Sequence, residues 1–259
     1  MTSRASRHTL SFDQFPAAPS PFARYGLVLA LVTAVAALVA GIGNRFGWWH
    51  YRLSFDILKW AAYAGVAAAL LSLIGAIQAR PGGARRGFLP ALLGVLIGLA
   101  VFAGPAMMLR TARTVPPIHD ITTDTANPPR FVAVLPLRTG AENTAEYAGA
   151  ELAAQQQQAY PQIQPMLLDV PPDAATKRAA AAARAMGWDI VAEVPAQGRV
   201  EATDTTLLFG FKDDVVIRVT PVDKRSRVDV RSVSRVGRSD LGANARRIDA
   251  FMKKLAGTQ

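Results

Sequence analysis

Three runs of this chain lack charged side chains for long enough to cross a lipid bilayer, and no other feature restricts its fold as strongly. Tyr25 to Ile42 holds only Ala, Val, Leu, Gly, Ile, one Thr and the opening Tyr. At about 1.5 Å per residue, that run just reaches across a hydrocarbon core of about 30 Å. Trp60 to Ala79 has Ser72 and Gln78 as its only strongly polar members, and Gly87 to Leu109 has none. A buried helix of a soluble protein explains one such run, but three in succession joined by short Arg-bearing loops predict three transmembrane helices. Ala34-Val35-Ala36 resembles a signal-peptide cleavage site, yet it lies mid-run behind a long tail, so the first span is read as retained.

The charge distribution supports this organisation. The formal net charge is +10, but residues 1–114 hold 11 Lys+Arg against 2 Asp+Glu, whereas residues 115–259 hold 18 against 17. The excess therefore flanks apolar segments, as a membrane-topology signal does, and no nucleic-acid partner is expected. Absence of cysteine excludes a disulfide scaffold and a thiolate metal site. Trp48, Trp49, Tyr51 and Trp60 cluster around the first loop, where amphipathic rings favour the headgroup layer. Gly94 and Gly98 form a small-xxx-small pair in the third span, and Pro90 and Pro105 fall near its ends. With three spans, the tail and second loop share one side, holding Arg4, Arg7, Arg24, Arg80, Arg85 and Arg86; Arg45, Arg52, Lys59, Arg110 and Arg113 belong to the other. The tight Arg80, Arg85, Arg86 group weighs most, because the orientation rule is strongest for short loops. It predicts a multi-pass membrane protein with a cytoplasmic N-terminus and a C-terminal domain outside the cytoplasm.

The expected organisation is a tail over 1–24, a three-span region over 25–114 and an extramembrane α+β domain over 115–259. That domain opens with a Pro-rich strap from Val115 to Phe131, which its prolines keep from being helical. Residues 142–158 read as a helix, and a second runs from Asp173 to Met186 with Gly187 as its stop. Beyond it the apolar period changes to two, giving about four strands of an antiparallel sheet: Trp188 to Val194, Arg199 to Thr206, Phe209 to Val222 and Arg227 to Val236. A turn at Asp223-Lys224-Arg225-Ser226 would pair Val219 with Val230 and Arg218 with Arg231, leaving one face in the core and the other wet. A C-terminal helix from about Leu241, capped by Ser239 or Asp240, lines up Leu241, Ile248, Phe251, Met252 and Leu255.

The strap PPIHDITTDTANPPRF, Ala-Tyr-Pro at Ala159 to Pro161, Gly-Trp-Asp-Ile-Val from Gly187, FGFKDDVVIRV from Phe209 to Val219 and VDVRSVSRVGRSDLGANARRI from Val228 to Ile248 together resemble the bacterial membrane family known as domain of unknown function 1499. The likeness covers most of residues 115–255, and its specific parts are the strap and the ending Ser234 to Ala245. It implies a single domain attached to a membrane and, with the topology above, a protein of the bacterial inner membrane whose C-terminal domain is periplasmic; it brings no activity with it.

Two groups of side chains carry candidate chemistry. Residues 212–259 hold 12 Lys+Arg against 6 Asp+Glu, while residues 115–211 hold 6 against 11. Arg218, Arg231, Arg235 and Arg238, with Asn244 at a helix start, could form a surface for an anionic lipid, polymer or protein, since guanidinium donors and helix-end amides favour negative charge. A solvated sheet face is the competing reading. The second group is His119, Asp120 and Asp124 in the strap with Asp204, Asp213 and Asp214 at the strand ends, as ligands or as acid–base groups of an envelope hydrolase or transferase. One His with two carboxylates lacks a recognised metal-ligand set, and salt bridging with Arg218 and Arg235 competes for the strand aspartates. No Walker loop, G-x-G-x-x-G or G-x-S-x-G elbow occurs, so no cofactor is expected and a non-catalytic binding module is the leading reading.

Overall fold

The computed structural model describes residues 17–257; Arg4, Arg7 and His8 lie outside them. The chain divides into two compact units, Met1–Ala40 with Arg52–Pro105, and Gly41–Tyr51 with Ala106–Gln259.

The three apolar runs form helices α1 (Pro21–Arg45), α2 (Tyr51–Gln78) and α3 (Phe88–Ala112), each long and apolar enough to cross a membrane. Their small residues face inward, with Ala30, Ala68 and Ala91 fully buried, while Val32, Leu70 and Leu96 point out. This inverts a soluble core: lipid is as apolar as leucine, so helices associate through close backbone approach. A Cβ on Gly98 would lie 2.5 Å from the Gly65 carbonyl oxygen, and one on Gly94 would lie 2.2 Å from Ser72 Oγ. The small-xxx-small pair of the third span is thus the seam between α2 and α3. Ahead of α1, Ser20 N–H donates to the Arg86 carbonyl at 2.9 Å and Arg86 N–H to the Ala18 carbonyl at 3.1 Å, which ties residues 18–20 to the second loop.

The other unit is an α+β domain. Its sheet has six strands: β1 (Asp120–Thr122), β2 (Met166–Leu168), β3 (Asp189–Val194), β4 (Arg199–Thr205), β5 (Lys212–Val222) and β6 (Arg225–Ser234). All pairings are antiparallel, in the order β1-β6-β5-β4-β3, and β2 pairs with the other half of β6. One sheet face packs on helices α5 (Pro172–Ala185) and α6 (Ala243–Ala256), with α4 (Ala150–Ala159) at the side. Ala175, Ala179 and Ala183 let α5 approach closely, while Ile217, Val228, Val230, Ile248, Phe251 and Leu255 fill the core and Trp188 stacks on Phe251 at 5.4 Å.

Four expectations need correction. The sheet has six strands rather than about four, because two three-residue segments of the Pro-bounded stretches pair with β6, and so short a segment shows no period. The hairpin closes through Asp223-Lys224 alone, with Asp223 at φ 52°, so Val219 pairs with Val228 and Arg218 with Asp229. This shift of two residues keeps every side chain on its expected face. Residues 142–149 are not helical: Asn143 N–H donates to the Arg235 carbonyl at 3.0 Å, and α4 starts only after Gly149 at φ 83°. Leu241 has φ 54° and precedes α6, whose first turn is held by the Asp240 carboxylate accepting from Gly242 N–H at 2.7 Å and Asn244 N–H at 2.8 Å.

Candidate functional site

The face of the sheet expected to be wet is instead covered by the strap and its continuation to Tyr147. Strand alternation points Glu201 and Thr203 of β4, Asp214, Val216 and Arg218 of β5, and Arg227, Asp229, Arg231 and Val233 of β6 to this side. Phe131 and Val134 pack on Val216 and Val233. Around this small apolar patch, charged groups fasten the strap to the sheet. Arg231 donates from Nε and Nη2 to Asp120 at 2.9 and 2.7 Å. Asp124 accepts from Arg218 and Arg227, both at 2.9 Å, and Arg218 also reaches Asp229 at 2.9 Å. The fully buried Glu201 carboxylate accepts backbone N–H bonds from Val132 (3.1 Å), Ala133 (3.0 Å) and Val134 (2.9 Å), and it pairs with Arg199. Arg138, in the segment that continues the strap, donates to Asp214 at 2.6 Å, and Arg235 binds the same carboxylate at 2.9 and 2.8 Å.

These contacts set the ionisation of the site. Burial raises the Asp120 carboxyl above its ordinary value in spite of the Arg231 hydrogen bonds and charge. Burial acts in the same direction on Asp214, but hydrogen bonds from Arg235 and Thr203, with the charges of Arg235 and Arg138, outweigh it and hold that carboxyl below its ordinary value.

Between the two limbs of the strap lies a cleft of about 840 Å³. Its floor is the Arg231 guanidinium, which lies between the rings of Phe131 and Tyr147 at 5.2 and 5.4 Å from their centroids. Arg130, Arg138 and Arg231 line it against a single carboxylate, Glu146. Arg130 is exposed and meets no carboxylate among the described residues. Tyr147 Oη is buried without a hydrogen-bond partner, and burial followed by the Asp120 charge pushes its pKa up to about 12. The phenol therefore keeps its proton at neutral pH and remains a donor. A cleft with excess guanidinium, one such donor and aromatic walls suits an anionic group on a partly apolar body.

The anticipated residues do not converge on one surface. Arg218, Arg231 and Arg235 are engaged by carboxylates inside the fold, and only Arg231 lines the cleft. Arg238 is exposed elsewhere, with its carbonyl 3.4 Å from His119 Nδ1. Asn244 is fully buried and donates to the His119 carbonyl at 2.9 Å and to Ser234 Oγ at 3.0 Å, joining α6, β1 and β6. Asp204 and Asp213 do meet, as cross-strand partners sharing Arg247 at 2.7 and 2.5 Å. Asp214 points to the opposite face. His119 and Asp120 line a second depression of about 400 Å³ with Glu142, Glu146 and Glu151, whereas Asp124 is held by Arg218 and Arg227. Among the described residues no three His, Asp or Glu side chains form a group that could hold a metal ion.

Arg130, Arg138, Tyr147 and Glu201 were not anticipated. The one available signal is Glu201, a carboxylate on an alternating strand; Arg130 and Tyr147 sit in irregular segments, and Arg138 ends the short 3-10 helix Leu135–Arg138, which is too short to show a period.

Three apolar helices and a separate α+β domain define a multi-pass membrane protein with an extramembrane domain. Residues 120–255 match the family described as Protein of unknown function (DUF1499), and the chain belongs to that family. No curated protein matches the chain.

Proposed function

We propose that the protein is a non-catalytic, membrane-anchored binding module of the bacterial inner membrane, and that its extramembrane domain, residues 115–259, takes an anionic component of the cell envelope in the strap cleft. The observation that carries this reading is the charge of the lining: three guanidinium groups face one carboxylate, and Arg130 among them is unneutralised. The aspartates that could have served as general bases support it too, since Asp120, Asp124, Asp204, Asp213 and Asp214 are each held by a guanidinium, as fold-stabilising carboxylates are. The anion contact moves from the anticipated Arg218 and Arg235 to Arg130, with Arg138 and Arg231 behind it. The Arg80, Arg85, Arg86 loop supports a cytoplasmic second loop and hence a periplasmic domain.

The test uses the full chain in lipid nanodiscs, labelled for NMR and titrated with inorganic phosphate and with N-acetyl-dialanine carrying a free carboxylate. Saturable shifts at Asn143, Ala145 and Tyr147 amides are expected for at least one probe, weakened about tenfold or more in R130Q, which loses a charge-assisted contact of about 1.5–3 kcal/mol. Absence of saturable shifts, or equal affinity in R130Q, would refute the cleft as the site.

A further inference from the structure

The turn from Thr206 to Phe211 that joins β4 to β5 carries no charge, and its Leu207 is 88 % exposed, more than any other large apolar side chain among the described residues. Turns on the water-facing side of a domain are polar, so this one calls for an apolar neighbour. The turn is rigid: Thr206 N–H donates to the Phe211 carbonyl at 2.9 Å, Phe211 N–H to Thr206 Oγ1 at 2.9 Å, and the rings of Phe209 and Phe211 stack at 5.3 Å. Its outward carbonyls are bound by the last turn of α1. Arg45 donates to the Thr206 and Leu207 carbonyls at 2.9 and 2.7 Å, and Asn44 donates to the Phe209 carbonyl at 2.6 Å. Arg45 ends an apolar helix and precedes the exposed Phe46 and Trp48, the combination of cation and aromatic rings that settles at the headgroup layer. Carbonyls bonded to Arg45 must lie at that same depth.

The domain is also polarised along its strands. At the other end of β5, which is 11 residues and hence roughly 35 Å long, the hairpin turn is Asp223-Lys224, followed by Arg225 at the start of β6. The end of the sheet that is bonded to Asn44 and Arg45 is thus apolar, and the opposite end is charged. We propose that the Thr206–Phe211 turn dips into the bilayer interface, with Leu207 and Leu208 among the upper acyl chains. The contact holds on whichever side of the membrane the domain lies, and it does not depend on the cleft.

The chain has no cysteine, so L207C and K224C each give a unique attachment point for a nitroxide on the full-length protein in phosphatidylcholine–phosphatidylglycerol nanodiscs. Both positions are exposed, so neither substitution removes a buried side chain. Collision rates with oxygen, which concentrates in lipid, and with a water-soluble nickel chelate are then compared. Oxygen should dominate at position 207 and nickel at 224. Equal, nickel-dominated accessibility at both positions would overturn the proposal, as would low accessibility to both reagents with spin–spin broadening at 207, which would place a second copy over the turn instead of lipid.

Discussion

Asp214 shows how one buried carboxylate can organise this domain. It is fully buried, it receives Arg138 from the segment after the strap, Arg235 from the loop after β6 and the Thr203 hydroxyl, and against the effect of burial these partners hold its pKa below the ordinary 3.8. A carboxyl whose folded-state pKa is depressed contributes stability above its unfolded value, and that contribution is lost as pH falls through the folded value. Asp214→Asn leaves two guanidinium groups without their counter-charge and should cost about 3–5 kcal/mol at pH 7. The gap between wild type and variant should narrow at pH 3. Amide exchange at Val216 and Val233, corrected for intrinsic rates, measures both quantities; a gap as wide at pH 3 as at pH 7 would contradict the assignment. Asp120 works in the opposite sense, because burial raises its pKa and its ionisation disfavours the folded state as pH rises above the ordinary value. The strap is thus held by carboxylates of unequal standing.

At the scale of elements, the α2–α3 seam rests on backbone approach and is testable by adding a side chain. Gly98→Leu must displace the Gly65 carbonyl and the Ala69 amide, 2.5 and 3.0 Å from its Cβ, whereas Gly104→Leu meets nothing within 4 Å. Detergent-driven unfolding should show Gly98→Leu destabilised by about 1–3 kcal/mol, with Gly104→Leu close to wild type; equal effects would mean that the seam is not at Gly98. The seam could be read from the sequence because small residues at helical spacing leave a pattern. So could the core face of the sheet, since Val215, Ile217 and Val219 alternate with Asp214, Val216 and Arg218. The same alternation misled on the other face. Polar and charged side chains there read as solvated, but Asp229 and Arg231 are buried beneath a segment whose own order comes from long-range ion pairs. Arg138 closes a single 3-10 turn, Leu135–Arg138, and Tyr147 lies in an irregular segment, so nothing local marks them as lining a cleft. Hairpin register was missed by two residues for a comparable reason: four polar residues, Asp223 to Ser226, allow a longer turn, and the choice fell to the cross-strand fit of Arg218 with Asp229.

For the whole molecule, the decisive property is which side of the membrane the domain occupies. The hydrogen bonds between residues 18–20 and Arg86 put the start of α1 and the second loop at the same end of the helical unit. The Arg80, Arg85, Arg86 loop is short and strongly basic, and long domains translocate largely regardless of their own charge. An envelope ligand for the cleft depends on this orientation. The direct test is a pair of fusions to a reporter enzyme active only outside the cytoplasm, one following Gln259 and one inserted at Gly82. Activity after Gln259 with silence at Gly82 is the predicted result; the reverse pattern would put the domain in the cytoplasm and contradict an envelope-binding function.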